Sequence, residues 1–258
     1  MTIDAYEIFD SGGGAPILIF CDHASNRVPD AVNGGTLGLP AKDMVRHIAF
    51  DIGARGVALS LTQSLGGQAI LSRFSRLVID PNRGEDDPTL IMQLYDGSII
   101  PANRKISPQE RQFRLQSYHR PYHAAAADCL ELMHANATAT PIIISVHSFT
   151  PKLTARPPRP WHIGILYADD TRLAAPLLSE WSQNPNLVVG DNLPYHGKLE
   201  GDCMATHGIR RRLPHVLIEL RNDLIADASG ETEWANRLLP ALRKVIDDFW
   251  KKEASANG

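Results

Sequence analysis

Four short apolar runs in this chain each stop on polar side chains, and that pattern constrains the fold more than any other feature of the 258 residues. Pro16 to Cys21 leads into Asp22-His23, and Arg76 to Ile79 into Asp80-Pro81-Asn82-Arg83. Pro141 to Val146 stops at His147, and His215 to Ile218 at Glu219-Leu220-Arg221. Near-continuous Val/Ile/Leu runs fit strands covered on both faces, and open sheets of that kind bind ligands beyond the carboxyl ends of their strands. The pattern predicts two histidines, a glutamate and an Asn-Arg pair gathered at one end of a sheet. Such a set suits metal-dependent amide hydrolysis.

Short apolar segments bounded by turn residues predict strands over Pro16–Cys21, Gln68–Leu71, Arg76–Asp80, Pro141–His147, His162–Ala168, Leu187–Gly190 and His215–Leu220. Helices are expected between them. One spans Ala41 to about Ser64, before Gly66-Gly67. Ser107-Pro108-Gln109-Glu110 is a capping box that opens a second, reaching about Ala135. A third covers Thr171 to Ser182, and the last runs from about Glu231 to Lys251, with a kink expected at Pro240. No repeat is present. Strand–helix alternation predicts an α/β fold, a three-layer α/β/α sandwich with a mostly parallel central sheet, formed by residues 1–258 as one domain.

Composition narrows the function. A hydrophobic content of 43% builds a full core, and a net charge of -3 gives no general attraction to nucleic acid or to an anionic membrane. Arg210-Arg211-Arg212 is the one dense basic run and reads as a solvated loop. The start, Met1-Thr2-Ile3-Asp4, lacks a basic leader, and no apolar run approaches the ~18 residues of a membrane span, so a cytoplasmic protein is expected. Cys21, Cys129 and Cys203 are odd in number and widely spaced, against a disulfide framework or a cysteine zinc site. A metal would be held by His and carboxylate.

The candidate residues follow. His23 and His147 each end a predicted strand, and together they suggest a shared metal. His47 and Asp51 are four apart in a predicted helix. Asp51 could be a third ligand or could orient a ligating His, and the alternative is a plain surface pair. His119 and His123 share that spacing, but Pro121 and two tyrosines around them suggest a packed helix face. Asp80-Pro81-Asn82-Arg83, preceded by Arg76, is a rigid turn carrying an amide and a guanidinium, suited to clamp an anionic substrate; the alternative is arginine paired with a nearby aspartate. Glu219 and Arg221 put two charges on one side of an apolar strand, which is costly unless they are paired or functional. Arg156-Pro157-Pro158-Arg159-Pro160 reads equally as a loop overhanging the site or as a surface connection.

Four ordered motifs then resemble the N-formylglutamate amidohydrolase family: His47 to Ala54, Ser75 to Arg83, Ser145 to Pro151 and Ile218 to Arg221. The resemblance runs from about Pro16 to Leu224. It implies a phosphorylase/hydrolase-like sandwich related to zinc carboxypeptidases and aspartoacylases, in which zinc held by two His and one carboxylate activates water. By that analogy His23 and His147 are ligands and Glu219 is the general base. Asn82, Arg83 and Arg76 hold a substrate carboxylate, and Arg221 is grouped with them. Those relatives take His and Glu three residues apart, whereas here position 26 is Asn26, so Asp51 is preferred over Asn26 as third ligand. The implied reaction converts N-formyl-L-glutamate and water to formate and L-glutamate, a step of histidine degradation, with Zn2+ as cofactor and a small N-acyl amino acid as partner. The acyl group and amino acid stay open. Two rivals are a non-catalytic binding protein for acylated amino acids, needing neither Glu219 nor metal, and an amidase using Cys21 or Cys203 as nucleophile. Cys21 lies inside a strand and is expected to point into packing.

Overall fold

The computed structural model describes residues 5–136 and 139–256. Its strands are β1 (Tyr6–Asp10), β2 (Ile17–Cys21), β3 (Gln68–Ser72), β4 (Leu94–Tyr95), β5 (Ser98–Ile99), β6 (Ile142–Phe149), β7 (Ile163–Leu166), β8 (Val189–Asp191) and β9 (His215–Arg221). The main sheet runs in the order β1-β3-β2-β6-β9-β7-β8, and β4 and β5 form a separate hairpin. β3, β2, β6 and β9 are parallel, β1 pairs antiparallel with β3, and β7 pairs antiparallel with β9. All eight residues of β6 are buried, as expected of a central strand with both faces covered.

Alternate residues of each strand feed two cores. Ile17, Ile19, Ile142, Ile144, Val146, Val216 and Ile218 pack under α2 (Ala54–Leu65), α5 (Ala174–Ser182) and α6 (Ala228–Ala256). Leu18, Phe20, Ile143 and Leu217 face α4 (Arg120–Asn136) and the Met204–Ile209 π-helix. This is a three-layer α/β/α sandwich with a mostly parallel sheet. A further cluster, around Phe74, Leu77, Val78, Ile79, Leu90 and Ile100, stabilises the long connections after β2 and β3.

Some expectations change. Arg76–Asp80 is not a strand, although Leu77, Val78 and Ile79 are fully buried. Local bonds close turns instead: Val78 N–H donates to Ser75 O and Asp80 N–H to Leu90 O. The helix expected from Ala41 to Ser64 splits into α1 (Ala41–Met44) and α2. Gly53 caps the start of α2 in a left-handed conformation at φ +76°, where a Cβ would lie 1.9 Å from Ile225 O. His47 and Asp51 therefore do not share a helix face. The helix begun by Ser107 starts as α3 (Pro108–Arg114), widens into a π turn at Leu115–His119 and continues as α4. α6 starts at Ala228, ahead of the expected Glu231, and runs to Ala256 with Pro240 inside it. Strand β1 and the β4-β5 hairpin had no signal strong enough to predict them. No described helix is long and apolar enough to cross a membrane.

Candidate functional site

The carboxyl ends of β2 and β6 bring two imidazoles together. His23 follows Asp22 just past β2, and His147 lies in β6 with Glu219 of β9 as its paired neighbour. The broken helix supplies the third group, because Asp51 N–H donates to His23 O (3.0 Å) and so holds its side chain beneath both rings. Asp51 Oδ2 is 2.8 Å from His147 Nδ1 and 3.3 Å from His23 Nδ1. The outer nitrogens are also held, His23 Nε2 by Asp80 Oδ1 at 2.7 Å and His147 Nε2 by Asp22 Oδ2 at 3.2 Å. With Nε2–H donating to those carboxylates, loss of the proton that each Nδ1 shares with Asp51 would leave both inner lone pairs free for a cation on the Asp51 side. Imidazoles that bind metals are commonly oriented by this kind of carboxylate.

Ligand atoms of His23, Asp51 and His147 lie within 4.8 Å of one another. Asp22, Asp51 and Asp80 are all buried around two rings, with Arg76 as the buried guanidinium paired into them. Burial opposes ionisation of Asp51, but the two imidazoles overcome it and hold its carboxyl well below the usual range. Burial would likewise lower His147, yet bonds to Asp22 and Asp51 raise it well above an ordinary imidazole. A divalent cation at this point would balance the surplus negative charge. Two imidazole nitrogens and one carboxylate oxygen are a zinc-type donor set, so the residues fit that group.

A cavity of about 260 Å³ opens over the cluster, lined among others by His23, Asp51, Asn82, Arg83, His147 and Glu219. Glu219 is 7% exposed. Burial, helped by the Asp51 charge, pushes its carboxyl up to about 7 against the opposing pull of His147 and Arg76. Arg76 also lines the cavity; it donates to Asp51 Oδ1 (3.3 Å) and Asp80 Oδ2 (2.9 Å) and so props the histidine partners, while its Nε has no hydrogen-bond partner among the described residues. Arg83 is anchored to Thr89 Oγ1 (3.3 Å) through Nε and to Asn82 O (2.7 Å) through Nη1. Asn82 Oδ1 accepts from Cys203 N–H at 3.0 Å, which orients the amide NH2 towards the cavity.

Other expectations move. Arg221 does not line the cavity; its guanidinium turns back to Asp223 Oδ1 (2.8 Å) and Trp161 O (3.5 Å), because it sits at the end of β9 beside those chain segments. Asn26 spends its amide on Met44 O (2.9 Å) and stands outside the cluster. His47 does line the cavity, beside the Tyr95 ring. His119 and His123 lie behind the Asp80–Arg83 turn, bonded to Arg83 O and Pro81 O, both at 2.9 Å. Arg159 stacks on Phe149 and Tyr195, two lining residues, which favours the overhanging reading of its loop. Neither Cys21 nor Cys203 lines the cavity, and burial pushes both thiols far up.

Sequence reasoning missed Asp22, Tyr95, Tyr195, His196 and Asp202. Asp22 had a usable signal, as the residue between strand and histidine. The stretch from Asn192 to Asp202 had none, because its place depends on two contacts of bare backbone. A Cβ on Gly164, the β7 neighbour of Glu219, would meet Leu193 O at 2.1 Å, and one on Gly197 would meet Tyr167 N at 2.2 Å.

Residues 15–226 match the family described as N-formylglutamate amidohydrolase. An N-formylglutamate deformylase of Pseudomonas putida is 30% identical over 125 residues, so less than half of that relative, 43%, and 43% of this chain are matched. The crystal structure of a gene product from Agrobacterium tumefaciens superposes with a TM-score of 0.89 at 31% identity, covering 96% of each chain. That of an N-formylglutamate amidohydrolase from Ralstonia eutropha superposes at 0.70 with 21% identity, covering 97% of this chain and 100% of the other, a likeness of fold. On the extent of the family match, this chain belongs to the N-formylglutamate amidohydrolase family.

Proposed function

We propose that the protein is a zinc-dependent amidohydrolase that removes a formyl or small acyl group from an N-acylated acidic amino acid, with N-formyl-L-glutamate giving formate and L-glutamate as the reference reaction. The observation that carries this reading is the pair of carboxylate-held histidines whose inner nitrogens meet on Asp51, beside a buried glutamate. His23, Asp51 and His147 would hold the zinc. When bound, zinc supplies Lewis acidity, polarising the acyl carbonyl and acidifying the attacking water.

The remaining chemistry belongs to the chain. Glu219 takes a proton from the water and returns it to the leaving nitrogen, and a carboxyl near 7 is poised for both steps at neutral pH. Asn82 Nδ2 and the free edge of Arg83 hold a substrate carboxylate and so fix the scissile carbonyl over the cluster. Arg76 keeps Asp51 and Asp80 in place beside the histidines. Asp22 and Asp80 set the ring tautomers.

Elemental analysis of purified protein, followed by release of amine from N-formylglutamate and other N-acyl amino acids, tests the reading. About one zinc per chain and turnover that chelation abolishes support it. Binding of acylated amino acids without turnover in the zinc-loaded protein would replace it with a binding protein.

A further inference from the structure

Asp202 stands on the cavity wall with no part in the reaction above, and its placement is unusually well fixed. A Cβ on Gly201, which sits at φ +75°, would lie 2.6 Å from Gly84 Cα, so the two segments touch through bare backbone. That contact puts Arg83 and Asp202, the residues beside the two glycines, on the same cavity. Cys203 N–H on Asn82 Oδ1 ties the segments again. Asp202 is 4% exposed, and its Oδ1 accepts from Ala205 N–H at 2.6 Å. Oδ2 has no hydrogen-bond partner among the described residues, and Asp202 lines the cavity. One wall therefore offers two donors, Asn82 Nδ2 and Arg83, next to one carboxylate acceptor.

An N-acyl amino acid carries the complementary set on a single carbon: a carboxylate that accepts and an amide N–H that donates. We propose that Asp202 Oδ2 accepts the N–H of the scissile amide while Asn82 and Arg83 hold the adjacent carboxylate. The proposal rests on the amidohydrolase reading and makes Asp202 a catalytic residue of it. Water adds its oxygen to the acyl carbon, the C–N bond breaks, and Glu219 returns the proton to nitrogen. Asp202 transfers nothing. As nitrogen gains that proton the donor also takes on positive charge, so the contact with the Asp202 carboxylate strengthens along the reaction and favours the transition state over bound substrate.

An ester of the matching 2-hydroxy acid separates this role from a structural one, because it has an ether-type oxygen where the amide has N–H. Zinc-loaded wild type and Asp202→Asn are compared on an N-formyl amino acid and on the corresponding O-formyl 2-hydroxy acid. In the variant the Ala205 N–H retains an oxygen acceptor, which preserves the local fold and turns the new NH2 towards the substrate. The amide kcat/KM is expected to fall roughly tenfold to hundredfold, the weight of a hydrogen bond to a charged group, and the ester value by no more than about threefold. Asp202→Ala, which removes the acceptor without adding a donor, is expected to show the same selective loss in smaller degree. Equal losses on both substrates, or no loss on either, overturn the role of Asp202 while leaving the amidohydrolase reading intact. A zinc-loaded wild type that cleaves neither compound overturns both.

Discussion

Burial carries the Glu219 carboxyl up to about 7, so its protonation state changes across the physiological range and its function can be isolated by one atom. Glu219→Gln keeps the shape and removes the base. Turnover should fall on the order of 10²–10⁴-fold with zinc content unchanged; zinc lost in the same variant would make Glu219 a ligand instead. A second pair is tuned the other way. Burial lowers His123 to about 4 and His207 to about 3, and the two are joined Nδ1 to Nε2 at 2.9 Å. Their folded values lie below the unfolded one near 6.5, so the stability they contribute is complete above about 6.5 and is lost as pH falls towards the folded values. His207→Gln retains a donor for His123 and removes one titration, so its melting temperature should drop less than that of wild type between about pH 6.5 and pH 4. Equal drops would show that the ring does not carry the acid limb. At this scale His23, His147 and Glu219 were legible because a polar residue ending an apolar run is conspicuous. Asp22 and Asp80 were legible as neighbours but not as partners of the rings, and Asp202 depends on a glycine contact between segments over a hundred residues apart.

Elements of the sheet were legible for a related reason: a strand buried on both faces leaves an apolar run that nothing else imitates well. What imitates it is a buried turn, and Leu77-Val78-Ile79 shows how burial without period misleads. The helix break before Asp51 was hidden because apolar spacing continued across it. Gly53 was the available signal, and it predicts a cost. Gly53→Ala places a Cβ against the Ile225 carbonyl at a positive φ, adding backbone strain of about 1–3 kcal/mol to overpacking of similar size. Because the same turn aims Asp51, the variant should lose both stability and zinc affinity, measured by denaturant titration and by metal competition. A variant as stable as wild type would mean that the loop shifts freely. Ser107 is simpler: its side chain accepts Glu110 N–H at 3.1 Å, while Glu110 turns to Arg114 and not back to the cap. Half of the predicted capping box is formed.

Across the whole molecule, the cluster adds a tie between the end of β2, the end of β6 and the turn before α2, segments already joined by the sheet ladder and by the Asp51 N–H bond to His23 O. Zinc bound there should act on global stability by mass action. At a hundredfold excess over Kd the gain is about 2.7 kcal/mol, or roughly 5–10 °C in Tm for a chain of this size. Melting with chelator and with zinc restored checks it, and superimposable curves would place no metal in the folded state. The layered architecture was legible from strand–helix alternation, whereas strand order was not, since no local pattern says which edge a strand will join. That order has a consequence during synthesis. β9 is the last strand made, yet it lies between β6 and β7. Until residues 215–221 leave the ribosome, the facing edges of β6 and β7 have no partner and the growing chain carries two open, apolar strand edges of the sort that recruit other chains. The segment that delivers Glu219 is therefore also the one that seals the sheet, and nascent chains stalled before it would be aggregation-prone as well as inactive.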